Sequence, residues 1–122
     1  MTVGEQWRVM IVDDYEAMRE TIRQVLAADP RFAIVAEAAS GEEAIQLTHQ
    51  MPLDLVLLDM RLPGINGLIA AEAIKIAQPR TVILILSSDW SPAYERRARA
   101  IGVRARLAKQ SLSLGKIYRA LD

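Results

Sequence analysis

Cysteine is absent from the 122 residues, which excludes a disulfide framework, a thiolate metal site and a cysteine nucleophile; a cytoplasmic address fits best. Long hydrophobic runs are missing too. The longest apolar stretches, such as Val82 to Leu86, are strand-sized. The first residues, Met1 to Arg8, carry no basic region ahead of an apolar core, so neither a membrane span nor a signal peptide is expected. No low-complexity segment and no long linker divides the chain. Net charge is also lacking, because 15 Lys and Arg balance 15 Asp and Glu.

What is present suffices for one ordinary core. With 52% apolar and 25% charged residues, a chain of this length is expected to fold alone as a single domain spanning 1–122. The zero net charge conceals a dipole. Residues 1–95 hold 7 bases against 14 acids, whereas 96–121 hold Arg96, Arg97, Arg99, Arg104, Arg106, Lys109, Lys116 and Arg119 with no acid; Asp122 closes the balance. A basic C-terminal third suits nucleic acid or an acidic protein partner, although a solvated helix face is the commoner cause of such a run.

Apolar runs alternate with amphipathic stretches five times, which is a β/α repeat pattern. The runs are Val9–Val12, Phe32–Ala36, Leu55–Leu58, Thr81–Leu86 and Val103–Ala108. The first, third and fourth do not alternate, as strands buried on both faces of a parallel sheet should not. Between them, Met18, Ile22, Val25 and Leu26 fall at helical spacing, as do Ala44, Leu47, Thr48 and Met51. Ser40 with Glu43 forms a capping-box pattern, and Ser91-Pro92 suits the N-cap and first turn of a fourth helix. Asp29-Pro30, Gln78-Pro79 and Gly102 supply stops. In the fifth run Arg104 and Arg106 alternate with Val103, Ala105 and Leu107, which predicts an edge strand with one wet face. A short last helix is expected over Leu114–Leu121. The sum is an α/β fold, a doubly wound five-stranded parallel sheet with helices on both faces, whose ligands bind beyond the carboxyl ends of the strands.

Asp13 and Asp14 follow the first run, Asp59 the third, Ser87 the fourth and Lys109 the fifth. Taken singly each has an ordinary explanation: Asp14 as an N-cap, Asp59 or Ser87 as turn residues, Lys109 as a solvated charge. Together they bring three carboxylates, a hydroxyl and an ammonium to one crevice, where the carboxylates repel unless a cation sits among them. Oxygen ligands and a water-rich setting favour magnesium, which pairs with phosphate oxygens. Asp59, between the apolar Leu55–Leu58 and a tight loop with Leu62, Pro63, Gly64 and Gly67, is the best nucleophile candidate. Lys109 and Ser87 fit the neutralising and donating tasks of a phosphoryl transfer.

The chain resembles the receiver domains of two-component response regulators through Val12-Asp13-Asp14, Leu57-Leu58-Asp59-Met60, Leu62-Pro63-Gly64 with Asn66-Gly67-Leu68, Leu86-Ser87-Ser88, and Lys109. The intervals from Asp13 to Asp59, Ser87 and Lys109 are 46, 74 and 96 residues. The resemblance implies a flavodoxin-like strand order 2-1-3-4-5. It also implies phosphorylation of Asp59 by a sensor histidine kinase, a phosphotransfer protein or a small phosphodonor, without turnover of a separate substrate. Magnesium would be bound directly by Asp14, mainly through water by Asp13, and by Asp59 and the backbone carbonyl of Arg61. Lys109 would pair with the phosphoryl group and Ser87 would swing toward it.

Two departures stand out. Arg106 occupies the place of the usual aromatic switch, three residues before the lysine, and Gln110 replaces the proline that often follows it, so no cis peptide is expected there. Arg61 and Asp89, each two residues beyond a strand end, are placed to pair across the site and slow loss of the phosphoryl group. The basic residues fall on the fourth helix, fifth strand and last helix, the edge that receivers use for output, where an acidic protein partner is favoured over a symmetric dimer. DNA binding would need an output domain outside this chain, and a stand-alone receiver is the direct reading. Among the rivals, a haloacid-dehalogenase-type phosphatase needs a second acid where Arg61 stands. A flavodoxin-like cofactor binder needs a glycine-rich phosphate loop after the first strand, which is absent. An atypical receiver that signals without phosphorylation is a further alternative. His49, on a polar stretch, reads as a surface residue.

Overall fold

The computed structural model describes residues 6–122. Its elements follow in the order β1 (Trp7–Val12), α1 (Glu16–Ala27), β2 (Phe32–Ala38), α2 (Gly41–Thr48), β3 (Leu55–Asp59), α3 (Gly67–Ala77), β4 (Val82–Ser87), α4 (Pro92–Ile101), β5 (Ala105–Ala108) and α5 (Leu114–Leu121). A 3-10 turn, Lys109–Ser111, links β5 to α5. All strand pairings are parallel and the order is β2-β1-β3-β4-β5.

The unbroken apolar runs are explained by the two layers they serve. Successive side chains of a strand point to opposite faces. Thus Met10, Val12, Val56, Leu58, Ile83 and Ile85 pack on one side with residues of α2, α3 and α4. Val9, Ile11, Leu55, Leu57, Leu84 and Leu86 pack on the other side against α1 and α5 through Ile22, Leu26 and Ile117. Every one of these strand residues is buried. A substitution within Val9–Val12, Leu55–Leu58 or Ile83–Leu86 is therefore felt in a core whichever way it points.

The capping signals hold with one variation. Ser40 accepts a hydrogen bond from the Glu43 N–H at 3.1 Å, but the Glu43 carboxylate reaches back to the Ala39 N–H at 2.7 Å rather than to that of Ser40. Ser91, Asn66 and Ser113 also cap their helices by accepting from the N–H three residues on. Asp14 is not a cap, since Tyr15 occupies the N-cap of α1. Gly102 ends α4 with φ +100°, a left-handed conformation that glycine adopts without a Cβ penalty.

The fifth strand is shorter than its apolar pattern predicts. The Val103 N–H bonds back to the Ala98 carbonyl at 3.0 Å, so Val103 completes the end of α4, and Arg104 precedes β5. Nor does β5 have a simple wet face: all four of its residues are half-buried, and Arg106 bends inward to donate from Nη2 to the Ser87 carbonyl at 2.8 Å. Alternation indicated the right face for Arg106 but not its length, which lets a charged head fold back over a strand end.

At the opposite end of the sheet, Asp29 joins three elements. It accepts from the Arg31 side chain at 2.7 Å and from the Tyr118 hydroxyl of α5 at 2.5 Å. The Arg31 guanidinium, then the Tyr118 hydroxyl, hold the Asp29 carboxyl well below the usual carboxylate range. A depressed folded value means that the unfolded chain binds the proton first on acidification. The stability Asp29 contributes is thus present above about pH 4 and lost as pH falls below it. Asp29→Asn should lower the urea midpoint at pH 7 and lower it less at about pH 2.5; an equal loss at both pH values would contradict this.

Candidate functional site

Parallel pairing brings the polar strand ends together. Val12 pairs with Leu58, Asp59 with Leu86 and Ser87 with Ala108. Asp13, Asp59, Ser87 and Lys109 therefore emerge side by side at the carboxyl edge of the sheet, as the topology of such folds requires. Asp59 and Ser87 are the last residues of their strands, and Lys109 opens the turn after β5. Asp59, Ser87 and Lys109 line a cleft of about 400 Å³ whose walls also include Asp14, Tyr15, Arg61 and Pro63.

One ammonium holds two buried carboxylates. Lys109 Nζ lies 2.8 Å from Asp13 Oδ2 and 3.1 Å from Asp59 Oδ2. Asp13 is 0% and Asp59 4% exposed, whereas Asp14 is exposed. Asp13 Oδ1 accepts from the Tyr15 N–H at 2.9 Å, and Asp59 Oδ1 accepts from the Arg61 N–H at 3.2 Å. Burial and then the Asp13 charge push the Asp59 carboxyl above its ordinary value, while Lys109 and the Arg61 N–H draw it partly back. Burial alone would lower the Lys109 ammonium, but its bonds to Asp13 and Asp59 outweigh that and raise it.

The carboxylates also have the makings of a cation site. One oxygen from each of Asp13, Asp14 and Asp59 lies within 4.8 Å of the others. Apart from its ionic contact with Lys109, the buried Asp13 Oδ2 has no hydrogen-bond partner among the described residues. A hard divalent cation matches such a set, because it takes oxygen ligands and tolerates water in the remaining positions. The donors thus fit magnesium by their chemistry.

The structure brings together each of the strand-end residues singled out in the sequence, with one difference in orientation. The Ser87 hydroxyl donates to the Asp89 carbonyl, so it is engaged within its own loop. Arg61 and Asp89 do pair, with Nη2 2.5 Å from Oδ2, at the exposed rim of the cleft. Tyr15, which lines the cleft and is 67% exposed, was not singled out in the sequence; its only signal is its place directly after the acidic pair. Trp90 is turned away from the cleft, its Nε1 donating to Glu95 at 2.7 Å. His49 is exposed at the C-cap of α2.

Close backbone approach fixes the loop after Asp59. A Cβ added at Gly67 would lie 2.5 Å from the Asp59 carbonyl oxygen and 2.8 Å from Met60 Cα, both main-chain atoms that cannot swing aside. Gly67→Ala should therefore cost about 1–3 kcal/mol in urea unfolding, despite the better helix propensity of alanine. An unchanged or higher midpoint would show that the loop yields freely.

A model of the response regulator receiver domain matches residues 9–122. The nitrate/nitrite response regulator protein NarP of Escherichia coli is 40% identical over 92 residues, 75% of this chain and 43% of that protein. A protein-glutamate methylesterase/protein-glutamine glutaminase of Pyrococcus abyssi is 37% identical over 82 residues, 67% of this chain and 22% of its own length. The signal receiver domain of NarL from Mycobacterium tuberculosis superposes with a TM-score of 0.87 at 30% identity, covering 98% of this chain and 96% of that one. The chain spans less than half the length of the curated relatives it matches.

Proposed function

The chain belongs to the response regulator receiver domain family, and we propose that its two-component signalling is switched by phosphorylation of Asp59. The observation that carries this reading is the Asp13–Lys109–Asp59 arrangement, of which Asp59 and Lys109 line an open cleft. An oxygen of Asp59 attacks the phosphorus of a phosphohistidine on a sensor kinase or phosphotransfer protein. The O–P bond forms as the P–N bond breaks, and the electron pair leaves with the imidazole. The attacking group must be the anion, and Lys109, 3.1 Å away, favours that form and then neutralises a phosphoryl oxygen.

Magnesium, when bound, supplies positive charge to the phosphoryl oxygens, and Asp13, Asp14, Asp59 and the Arg61 carbonyl are the groups that would hold it. Ser87 completes the set once its hydroxyl leaves the Asp89 carbonyl for a phosphoryl oxygen. Some relatives are methylesterases, but the segment they share with this chain is a receiver, and no turnover of a separate substrate is assigned to it. Arg61 stands where an aspartyl phosphatase of the haloacid-dehalogenase type needs its second acid. Among the described residues no helix is long and apolar enough to cross a membrane. A histidine-kinase phosphodonor places the site of action in the cytoplasm. Output is assigned to the basic edge of α4, β5 and α5, for an acidic protein partner. Arg106 turns inward from that edge, so the charge displayed comes from Arg96, Arg97, Arg104, Lys116 and Arg119 on the neighbouring segments.

Incubation with acetyl phosphate and magnesium should add one phosphoryl group to the intact mass of the wild type and none to Asp59→Asn, and chelation of the metal should abolish labelling. Equal labelling of both proteins would remove Asp59 from its role. The Arg61–Asp89 pair gives a second expectation. Both groups are largely exposed, at 76% and 65%, so the pair is worth only about 0 to 1 kcal/mol, but it obstructs a water approaching the phosphorus in line. Replacing both by alanine should shorten the acyl-phosphate lifetime several-fold, and an unchanged lifetime would show that water reaches the phosphorus by another path.

A further inference from the structure

Between α4 and β5 lies a groove of about 150 Å³ whose walls include Trp90, Glu95, Arg99, Val103, Arg104 and Arg106. Three arginines and one glutamate line it; Arg104 directs Nη1 to the Leu121 carbonyl at 3.4 Å, and both oxygens of the glutamate are engaged. Glu95 Oε2 accepts from Trp90 Nε1 at 2.7 Å and Oε1 from Arg99 Nε at 3.0 Å. Arg106 is left incomplete. Its Nη2 donates to the Ser87 carbonyl at 2.8 Å, but its buried Nε has no hydrogen-bond partner among the described residues. A guanidinium cannot shed its proton to escape this cost, so an unpartnered buried N–H stands in the wall of a groove lined by three arginines and one acid.

We propose that this groove seats a single carboxylate side chain, aspartate or glutamate, from an acidic segment of a partner protein. The donor is Arg106 Nε, uncovered as the side chain turns into the groove, with Arg104 and Arg99 as flanking charges, and Trp90 and Val103 receive the methylenes. The volume suits one side chain and not a folded surface, so specificity lies in where a carboxylate falls within the partner's segment. Charge-assisted hydrogen bonds in a half-buried site are the strong ones, which separates this contact from the screened attraction of the exposed arginines around it.

The seat is mechanically tied to the cleft. The arginine that would take the carboxylate holds the main chain of Ser87, whose hydroxyl engages Asp89. An occupant that draws Arg106 into the groove slackens Ser87, and a Ser87 that moves toward a phosphoryl group releases Arg106; the two events are coupled and the coupling is reciprocal. This second half rests on the reading of Asp59 as phosphoacceptor, whereas the binding of a carboxylate does not.

The test is titration of the ¹⁵N-labelled protein with an acetylated Leu-Glu-Asp-Leu-Glu peptide, following the Arg106 Nε–H and Trp90 indole N–H signals. Both should shift saturably. The peptide with Gln and Asn in place of its acids should bind at least about tenfold more weakly. Arg106→Gln, which keeps an amide donor for the Ser87 carbonyl, should lose that preference. Equal binding of the neutral peptide, an unmoved Arg106 signal, or the same shifts from acetate at equal carboxylate concentration would each overturn the proposal, the last by showing a site for any free anion. Repeating the titration with beryllofluoride and magnesium, its bound form verified by ¹⁹F resonance, should change the affinity at least about threefold in the wild type and not in Arg106→Gln. An unchanged affinity with beryllofluoride bound refutes the coupling. If no beryllofluoride binds, the Asp59 reading fails instead, while the peptide titration decides the groove by itself.

Discussion

Two buried carboxylates share one lysine, and much of the geometry at the carboxyl edge of the sheet depends on it. Removing Asp13 and Asp59 from water raises the energy of their charged forms, and Lys109 reaches both from the far side of β4. That reach sets a requirement on the fold. The ends of β1 and β3 must be neighbours, and the strand carrying the lysine must lie just beyond β4, an arrangement met by the order β2-β1-β3-β4-β5. The cost of bringing like charges together is thus offset by topology, and the same proximity makes the place attractive to a cation.

The strand ends were legible because parallel strands buried on both faces leave an unmistakable apolar run, so that the first polar residue after each run marks an end. Asp13, Asp59 and Ser87 were found that way. Family resemblance then added what periodicity lacks, the order in which the strands lie side by side. Less legible was anything that depends on how far a side chain reaches. Arg106 reads by alternation as a wet-face residue of an edge strand, yet its length allows it to cap the end of β4. Trp90 stands three residues after Ser87 in sequence but turns to Glu95, a direction that sequence distance does not encode. Val103 belongs to the end of α4 and not to β5, since a helix terminus needs its carbonyls satisfied as much as a strand needs its partner.

The departure from the family's aromatic switch changes the kind of signal that the β4–β5 edge can carry. An aromatic ring moves between two packed positions, and its energy is chiefly that of burial. A guanidinium is governed by hydrogen bonds with fixed directions. In this chain Arg106 is bonded to the main chain of the very strand that ends in Ser87, so β4 and β5 are joined there by a directional bond and not by a volume to be filled.

The Asp29 cluster at the other end of the sheet gives α5 an unequal footing. The helix begins just after the Lys109–Ser111 turn and is anchored in its second half by the Tyr118 hydroxyl, with Ile117 buried beside it. The bond to Asp29 falls at the fifth of the eight residues of α5. Sliding of α5 along its axis would break the bond to Asp29, so the turn from α1 to β2 and the helix that carries Lys116 and Arg119 are held in one register.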